Sequence, residues 1–449
     1  MADLIYGVSS YERKRGDFPE LPVTNMLAEN VPTEPGTALQ SRPGLTDTVI
    51  TMGSGPVRKL FRADGVLYNT LFGLSGNDLY RWGTYIGTTD GSGPVSFAAY
   101  ETNIFVNAGA SIWGWDGTTY SSIPFPDDAN VAKITTGASR LVAIRKDTGQ
   151  FYWSDVLGSD INALNFATAE KLPDRLKDML YIGDRLYLFG SESVEIWPAT
   201  TDPDLPFAPL AGAVMPVGVK ETGLAVQFGT SFAWITNHNE VCVGSPDNII
   251  SEPELQVRIK ESMEHSLWTF FVDDNEFLVV RLEDETWVYG ARSGVWSKFT
   301  SHGEDNWLPL TYDEQYFGLS NTGNLARWST AYNDFGGPIE RSTRAWIPIT
   351  AESVLLSNVI MRTNPGTTPY IEGTYSEPVV ELRTSRDGGK LWQPWKQRSM
   401  GPVGNYRRKI FWSSLGMFGY PGVMVEIRNS DPVPFRISGL AYNEPFGGR

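Results

Sequence analysis

Cysteine is almost missing from this chain of 449 residues: Cys242 stands alone, which excludes an intrachain disulfide framework and any multi-cysteine metal site. Inside the strand-like run Glu240-Val-Cys-Val243 it is expected to be a small core residue rather than a nucleophile. Histidine is scarce too. His238, His265 and His302 are scattered without metal-ligand spacing, and none lies near a serine or cysteine motif for nucleophilic catalysis. Each reads as a surface or turn residue. There is no Gly-x-Ser-x-Gly, no phosphate loop and no dinucleotide fingerprint. No apolar run approaches the roughly 18 residues needed to cross a bilayer. The opening Met-Ala-Asp-Leu-Ile-Tyr lacks the basic start and apolar core of a secretory signal. The expectation is synthesis and folding in a cytosol, with no membrane-spanning segment, no catalytic residues, and no residues binding a cofactor or a metal.

Positive charge is also in deficit. Lys and Arg number 37 against 52 Asp and Glu, a formal net charge of −15, so the chain as a whole is repelled by a nucleic-acid backbone. One stretch runs the other way. Between Glu372 and Tyr420 stand Arg383, Arg386, Lys390, Lys396, Arg398, Arg407, Arg408 and Lys409, against Glu372, Glu377, Glu381 and Asp387, a local +4. A dipolar molecule of this kind can dock head to tail or against an acidic neighbour, with charge setting orientation more than affinity. A solvated sheet face is the plainer reading.

What the chain has in quantity is glycine (45), proline (29) and tryptophan (15), the composition of many short strands joined by tight turns. Leu71-Phe-Gly-Leu-Ser-Gly-Asn-Asp-Leu-Tyr-Arg-Trp82 returns as Tyr316-Phe-Gly-Leu-Ser-Asn-Thr-Gly-Asn-Leu-Ala-Arg-Trp328. Each copy is an apolar run, a turn of Ser, Gly and Asn, and a second run, the pattern of a β-hairpin. Five more fall between them, in 104–117, 141–153, 186–197, 232–243 and 277–289. Successive copies lie roughly 35–45 residues apart, the period of a four-stranded propeller blade. Seven hairpins argue for a seven-bladed β-propeller, with six blades and one irregular insertion as the alternative. The first and last copies then become neighbours through closure of the ring. The Trp or Tyr near each second strand's end is expected to pack between blades rather than to stack on a ligand.

Around this propeller, placed at 51–335, two further regions are expected. Residues 1–50 carry Pro19, Pro22, Pro32, Pro35 and Pro43, so they read as an extended arm hugging the surface rather than an element of a central sheet. Residues 336–449 follow the turn-rich Asn333-Asp-Phe-Gly-Gly-Pro338 and contain alternating runs such as Val379-Val-Glu-Leu-Arg-Thr384 and Val423-Met-Val-Glu-Ile-Arg428. They fit a small antiparallel β-sandwich, making the chain all-β. One helix is expected after Ser251-Glu-Pro-Glu254, which has the capping-box form, with Leu255, Ile259 and Met263 on one face.

Asp202-Pro-Asp204 and Asp273-Asp-Asn-Glu276 could offer oxygens to calcium, but neither has the alternation and following glycine that wrap the ion. They read as solvated loops. Ser385-Arg-Asp-Gly-Gly-Lys-Leu-Trp392 resembles the Asp-box of sialidases, themselves propellers. That resemblance implies a turn in which the Asp side chain bonds turn amides above a packed aromatic. It raises an alternative function, a propeller glycan hydrolase or lectin acting on bacterial surface polysaccharide.

A different family resemblance covers both ends and the centre. Phe166-Ala-Thr-Ala-Glu-Lys-Leu-Pro-Asp174, the run Leu186-Tyr-Leu-Phe-Gly-Ser-Glu-Ser-Val-Glu-Ile-Trp197, and Pro206-Phe207 with Gly212 and Gly218 resemble the packaged-DNA stabilisation proteins of short-tailed phages. Leu21-Pro-Val-Thr-Asn-Met-Leu-Ala-Glu29 and Ser41-Arg-Pro-Gly-Leu45 look like that family's N-terminal signature, and Val433-Pro-Phe-Arg-Ile-Ser-Gly-Leu440 like its last strands. The resemblance implies a structural virion protein, not an enzyme: a tail hub or nozzle subunit assembled in the host cytoplasm. It further implies self-association into a ring, a hexamer, below the portal-adaptor ring. Such a ring would retain the packaged DNA, receive the tail needle or plug, and carry tailspikes or fibres, with DNA passing through its lumen without sequence-specific binding. A lumen that passes a polyanion without holding it is expected to be acidic or neutral.

Overall fold

In each of the seven repeats the apolar runs form a hairpin whose inward side chains are buried; Leu186 and Leu188, for example, are 0% exposed. A single hairpin cannot cover both its faces, so each is completed to four strands and stacked against the next. The computed structural model describes residues 2–3, 21–30, 37–63, 65–169, 171, 174–350, 353–366 and 375–443. In it, blades 1 to 6 begin with the inner strands Val57–Phe61, Ser96–Tyr100, Val131–Gly137, Leu176–Ile182, Ala225–Phe228 and His265–Val272. Blade 7 takes Pro309–Asp313, Tyr316–Leu319 and Asn324–Ser329 from its own stretch, and its outer strand Gly44–Thr51 from the other end of the sequence. That borrowed strand closes the ring. The two hairpins that most resemble each other do lie side by side, with Trp82 of blade 1 meeting Tyr316 of blade 7 edge to face at 5.9 Å.

The C-terminal region forms a sandwich. One sheet runs Ala2–Asp3, Gly439–Tyr442, Val354–Arg362, Ile410–Phe418; facing it, Arg341–Pro348, Gly422–Asn429, Val379–Ser385 and Lys396–Ser399 lie in order. Between them Val359, Trp412, Phe418, Val425 and Phe435 pack with Val23, Met26 and Leu39 from the N-terminal segment.

That segment overturns the expectation of an arm outside any central sheet. Val23–Thr24 lies between the outer strand of blade 6 and the sandwich, parallel to Trp296–Phe299 and antiparallel to Arg341–Pro348. Propeller blade and sandwich sheet thereby become one nine-stranded sheet. The prolines permit this because Pro22 precedes the two-residue strand and Pro43 precedes Gly44–Thr51, so neither removes a donor from a ladder. Pro19, Pro32 and Pro35 lie outside the described residues.

The helix forms over Pro253–Glu261, but its N-cap is Glu252 and no side chain caps it. Ser251 is occupied elsewhere, its hydroxyl accepting the Val241 amide at 2.9 Å. Leu255 and Ile259 are fully buried, whereas Met263 falls beyond the last turn and is 83% exposed. The capping box is a local signal outcompeted by a neighbouring strand. No described helix is long and apolar enough to cross a membrane.

Candidate functional site

The N- and C-terminal stretches that carried the family resemblance converge on the junction between propeller and sandwich. Arg42 is fully buried and its guanidinium grips Asp334, also fully buried, through both carboxylate oxygens at 3.0 and 2.5 Å. Its remaining donors reach Asn25 Oδ1 at 2.9 Å, the Pro43 carbonyl at 3.0 Å and the Thr300 carbonyl at 2.9 Å. Asn25 in turn donates to Thr300 Oγ1 and the Glu340 carbonyl, and Asp334 accepts the Leu45 amide. The ring faces of Phe299 and Trp307 lie beneath the guanidinium. Gly44 is required by close approach, since a Cβ there would fall 2.1 Å from the Asn333 carbonyl oxygen. The C-terminal signature joins the same knot: Phe435 exchanges hydrogen bonds with Ser41, and Arg436 pairs with Glu29 at 3.1 Å.

A second buried arginine lies close by. Arg341 donates to the carbonyls of Asp431 and Tyr332. Burial first, then the nearby Arg42 charge, pulls the pKa of its guanidinium down to about 9. Asp334 is thus the carboxylate that serves two buried cations.

The central signature fastens blades 3 and 4. Asp174 Oδ2 accepts the amides of Glu192 and Ser193, each at 2.9 Å, and the Ser193 hydroxyl. Glu195, only 2% exposed, accepts the Trp197 indole and the Lys171 amide. Phe207 packs on Phe151 and Tyr181. A side chain at Gly218 would collide with the Ser191 backbone at 2.3 Å. Replacing Asp174 by alanine strands two turn amides. We expect a loss of about 1–2 kcal/mol, read as a lower urea midpoint at unchanged slope; an unaltered midpoint would show that water replaces the carboxylate freely.

At the propeller axis the structure brings together residues not singled out in the sequence. The inner strands of blades 1, 3, 4 and 7 each carry a register shift, and just after it stand Lys59, Lys133, Asp178 and Thr311. A bulge re-aims the side chain that follows it. Asp178, fully buried, takes Lys133 from blade 3 and the amides of Gly223 and Ala225. Thr311 accepts the Leu60 amide of blade 1, and Ser96 of blade 2 accepts the Ile134 amide of blade 3. Polar side chains therefore lace successive blades around the axis. The signal was visible in retrospect as a charge in the third place of strand openings whose first and fourth residues are apolar: Val57-Arg-Lys-Leu, Val131-Ala-Lys-Ile, Leu176-Lys-Asp-Met.

The basic segment of the sandwich is partly consumed by structure. Arg383 lies between the faces of Trp392 and Trp395 at 4.4 and 4.3 Å, and Arg428 covers Trp395 at 4.1 Å. Arg344 and Arg383 both bond Glu426, and Arg428 bonds Glu381 at 2.7 Å. The result is a ladder of alternating guanidinium and indole planes. Arg386, Lys390, Arg407 and Lys409 remain exposed, while Glu372 lies outside the described residues. The Asp-box turn takes the form its resemblance implied: Asp387 accepts the amides of Lys390 and Leu391 at 3.0 and 2.9 Å, and Trp392 packs under the arginines. Those amide bonds, led by that of Leu391, hold its carboxyl below the usual range.

Of the histidines, His238 and His302 lie exposed in turns as expected. His265 does not: its side chain is 2% exposed, Nε2 meets the Ile259 carbonyl at 2.8 Å, and Nδ1 faces Glu221 at 3.4 Å. It opens a long inner strand against the helix, so burial follows from its neighbours. Cys242 is fully buried, and burial pushes its thiol up to about 12. Asp202 folds back on the amides of Asp204 and Leu205, and Asp273 and Asp274 take left-handed turn positions. Among the described residues no three His, Cys, Asp or Glu are grouped to hold a metal.

A closed seven-bladed ring riveted to a sandwich defines a β-propeller protein. The model of the Bacteriophage P22 Gp10 β-propeller family matches residues 2–316, and the chain belongs to that family. Among curated proteins it is 24% identical over 348 residues to tail hub protein gp10 of Salmonella phage P22, covering 68% of this chain and 69% of that one. Similar solved structures include BBS1N in complex with ARL6DN, at 11% identity, TM-score 0.43, 65% of this chain and 99% of that one. The Cps50 (Swd1) β-propeller domain of Myceliophteria thermophila follows at 11% identity, TM-score 0.39 and the same coverages. Likenesses that weak carry no functional inference.

Proposed function

We propose that the chain is a non-enzymatic tail hub or nozzle subunit of a short-tailed phage. Six copies form a ring below the portal-adaptor ring, retain the packaged DNA and attach the tail needle, tailspikes or fibres. The observation that carries this reading is the match to a tail hub protein across 348 residues, about two thirds of both chains. Physical features support it. The propeller has its ring closed by a borrowed strand, so it is a rigid block with few free edges. Rotational rings need contacts between unlike faces of the same subunit. A chain at −15 with a local +4 segment carries such unlike faces.

A glycan hydrolase centred on the axis would need two available carboxylates flanking the scissile bond. The axis here presents Lys59 and Lys133, with Asp178 fully engaged by Lys133 and two amides.

Imaging particles assembled with and without the chain tests the proposal. Full heads that lose their DNA in its absence are the expected result. Particles that keep their genome and their tail appendages without it would overturn the reading.

A further inference from the structure

The lacing of the axis leaves one cation over. Lys133 has Asp178, but Lys59 Nζ has no hydrogen-bond acceptor among the described residues. Lys59 and Lys133 line the same axial cavity of about 230 Å³, whose other walls include Phe97, Leu180, Val226 and Leu267. Two ammonium groups thus lie near one buried carboxylate in a cavity whose walls also carry Ser96, Thr135, Thr222 and Gln227. Burial first, then the Lys133 charge, pulls the Lys59 amine down to about 8.

We infer that this axial cavity binds a small oxyanion, held by the ammonium groups of Lys59 and Lys133. The chemistry follows from three points. Lys59 is half-buried and its desolvation beside Lys133 is costly, and a counter-ion that enters the same cavity offsets that cost. The bulges before Lys59 and Lys133 aim both side chains at the axis rather than along the sheet. Asp178 offsets the Lys59 charge only in part, because its oxygens are already taken by Lys133, the Met179 amide and the amides of Gly223 and Ala225, and desolvation and the Lys133 charge outweigh it. Phosphate and a carboxylate present the same acceptor oxygens to an ammonium, so either source satisfies the site. The site lies within the single chain and does not depend on ring formation.

The groups that face Lys59 from neighbouring blades are Lys133 and, behind it, Asp178. Occupancy therefore requires protonated Lys59 and should fade as the pH rises through about 8.

The full-length protein is heated in chloride, inorganic phosphate or acetate at equal ionic strength, at pH 7 and at pH 9. Phosphate is expected to raise the unfolding midpoint at pH 7 and much less at pH 9. The rise should vanish in Lys59→Met and persist in Lys59→Arg. An acetate shift equal to that of phosphate identifies any oxyanion as the ligand, and a smaller one identifies phosphate. Equal responses of the wild type and Lys59→Met, or none in either, would overturn the proposal. Should Lys59→Met fail to fold, amine labelling of the wild type read by mass spectrometry decides the matter. Phosphate must protect Lys59 from acylation at least several-fold relative to exposed lysines, and unchanged labelling refutes the site.

Discussion

Replacing Asp334 with asparagine is expected to be among the most destabilising single substitutions in the chain, at about 3–5 kcal/mol, the usual cost of removing one member of a buried ion pair. Arg42→Met should cost less, although it removes the other member. The asymmetry comes from Arg341. With Asp334 neutralised, Arg42 and Arg341 lose the carboxylate they share, leaving only the weaker field of Asp431 on Arg341, and their mutual repulsion is already felt in the native protein. With Arg42 removed, Asp334 keeps the Leu45 amide and the field of Arg341. Urea unfolding followed by tryptophan fluorescence gives the order, because Trp307 lies under the Arg42 guanidinium. Equal losses, or a larger one for Arg42→Met, would mean that Arg341 is not part of the knot. The pair of changes made together should recover only part of the loss, since Arg341 stays buried.

Removing residues 1–51 is expected to abolish soluble, cooperatively folding protein. The deletion takes away the outer strand of blade 7, so Asn324–Ser329 becomes a bare edge carrying unpaired amides and carbonyls. It also removes Val23–Thr24 from the middle of the nine-stranded sheet and Arg42 from its pair. Co-expression of 1–51 as a separate chain with 52–449 should restore a soluble complex, because the segment binds through a ladder and a buried ion pair rather than through chain continuity. A deletion product that elutes as a monomer with a sharp melting transition would refute the view that the segment closes the ring.

How far the sequence reveals such features depends on how local they are. The seven hairpins were legible because each is written within about a dozen residues: apolar run, turn of glycine and asparagine, apolar run. All seven are the second and third strands of their blades. The blade 7 outer strand was not legible, since its partner lies some 280 residues away in sequence: Trp328 pairs with Leu45. Val23–Thr24 is too short for any periodicity. The capping box failed for the opposite reason, a strong local pattern whose serine was claimed by Val241 across a turn. The motifs Ser41-Arg-Pro-Gly-Leu45 and Asn333-Asp334 stood out, but nothing in either says that they meet; that fact belongs to the packing of Phe299 and Trp307 around them. The axial lysines were missed because a charge between the apolar residues of a short strand reads as an outward-facing residue until the bulge beside it is known.

The continuous sheet through Val23–Thr24 has a mechanical consequence. A pull on the sandwich relative to blade 6 would not peel one hydrogen bond at a time from an exposed end. The two-residue strand is held on both sides, by Lys298 and by Ser342 and Thr343, so those bonds are strained together, in shear, and share the tension. The Arg42–Asp334 clamp stands beside them as a second tether across the same seam. Load reaching the C-terminal region would therefore pass into the propeller as rotation of a stiff whole rather than as extension of a linker.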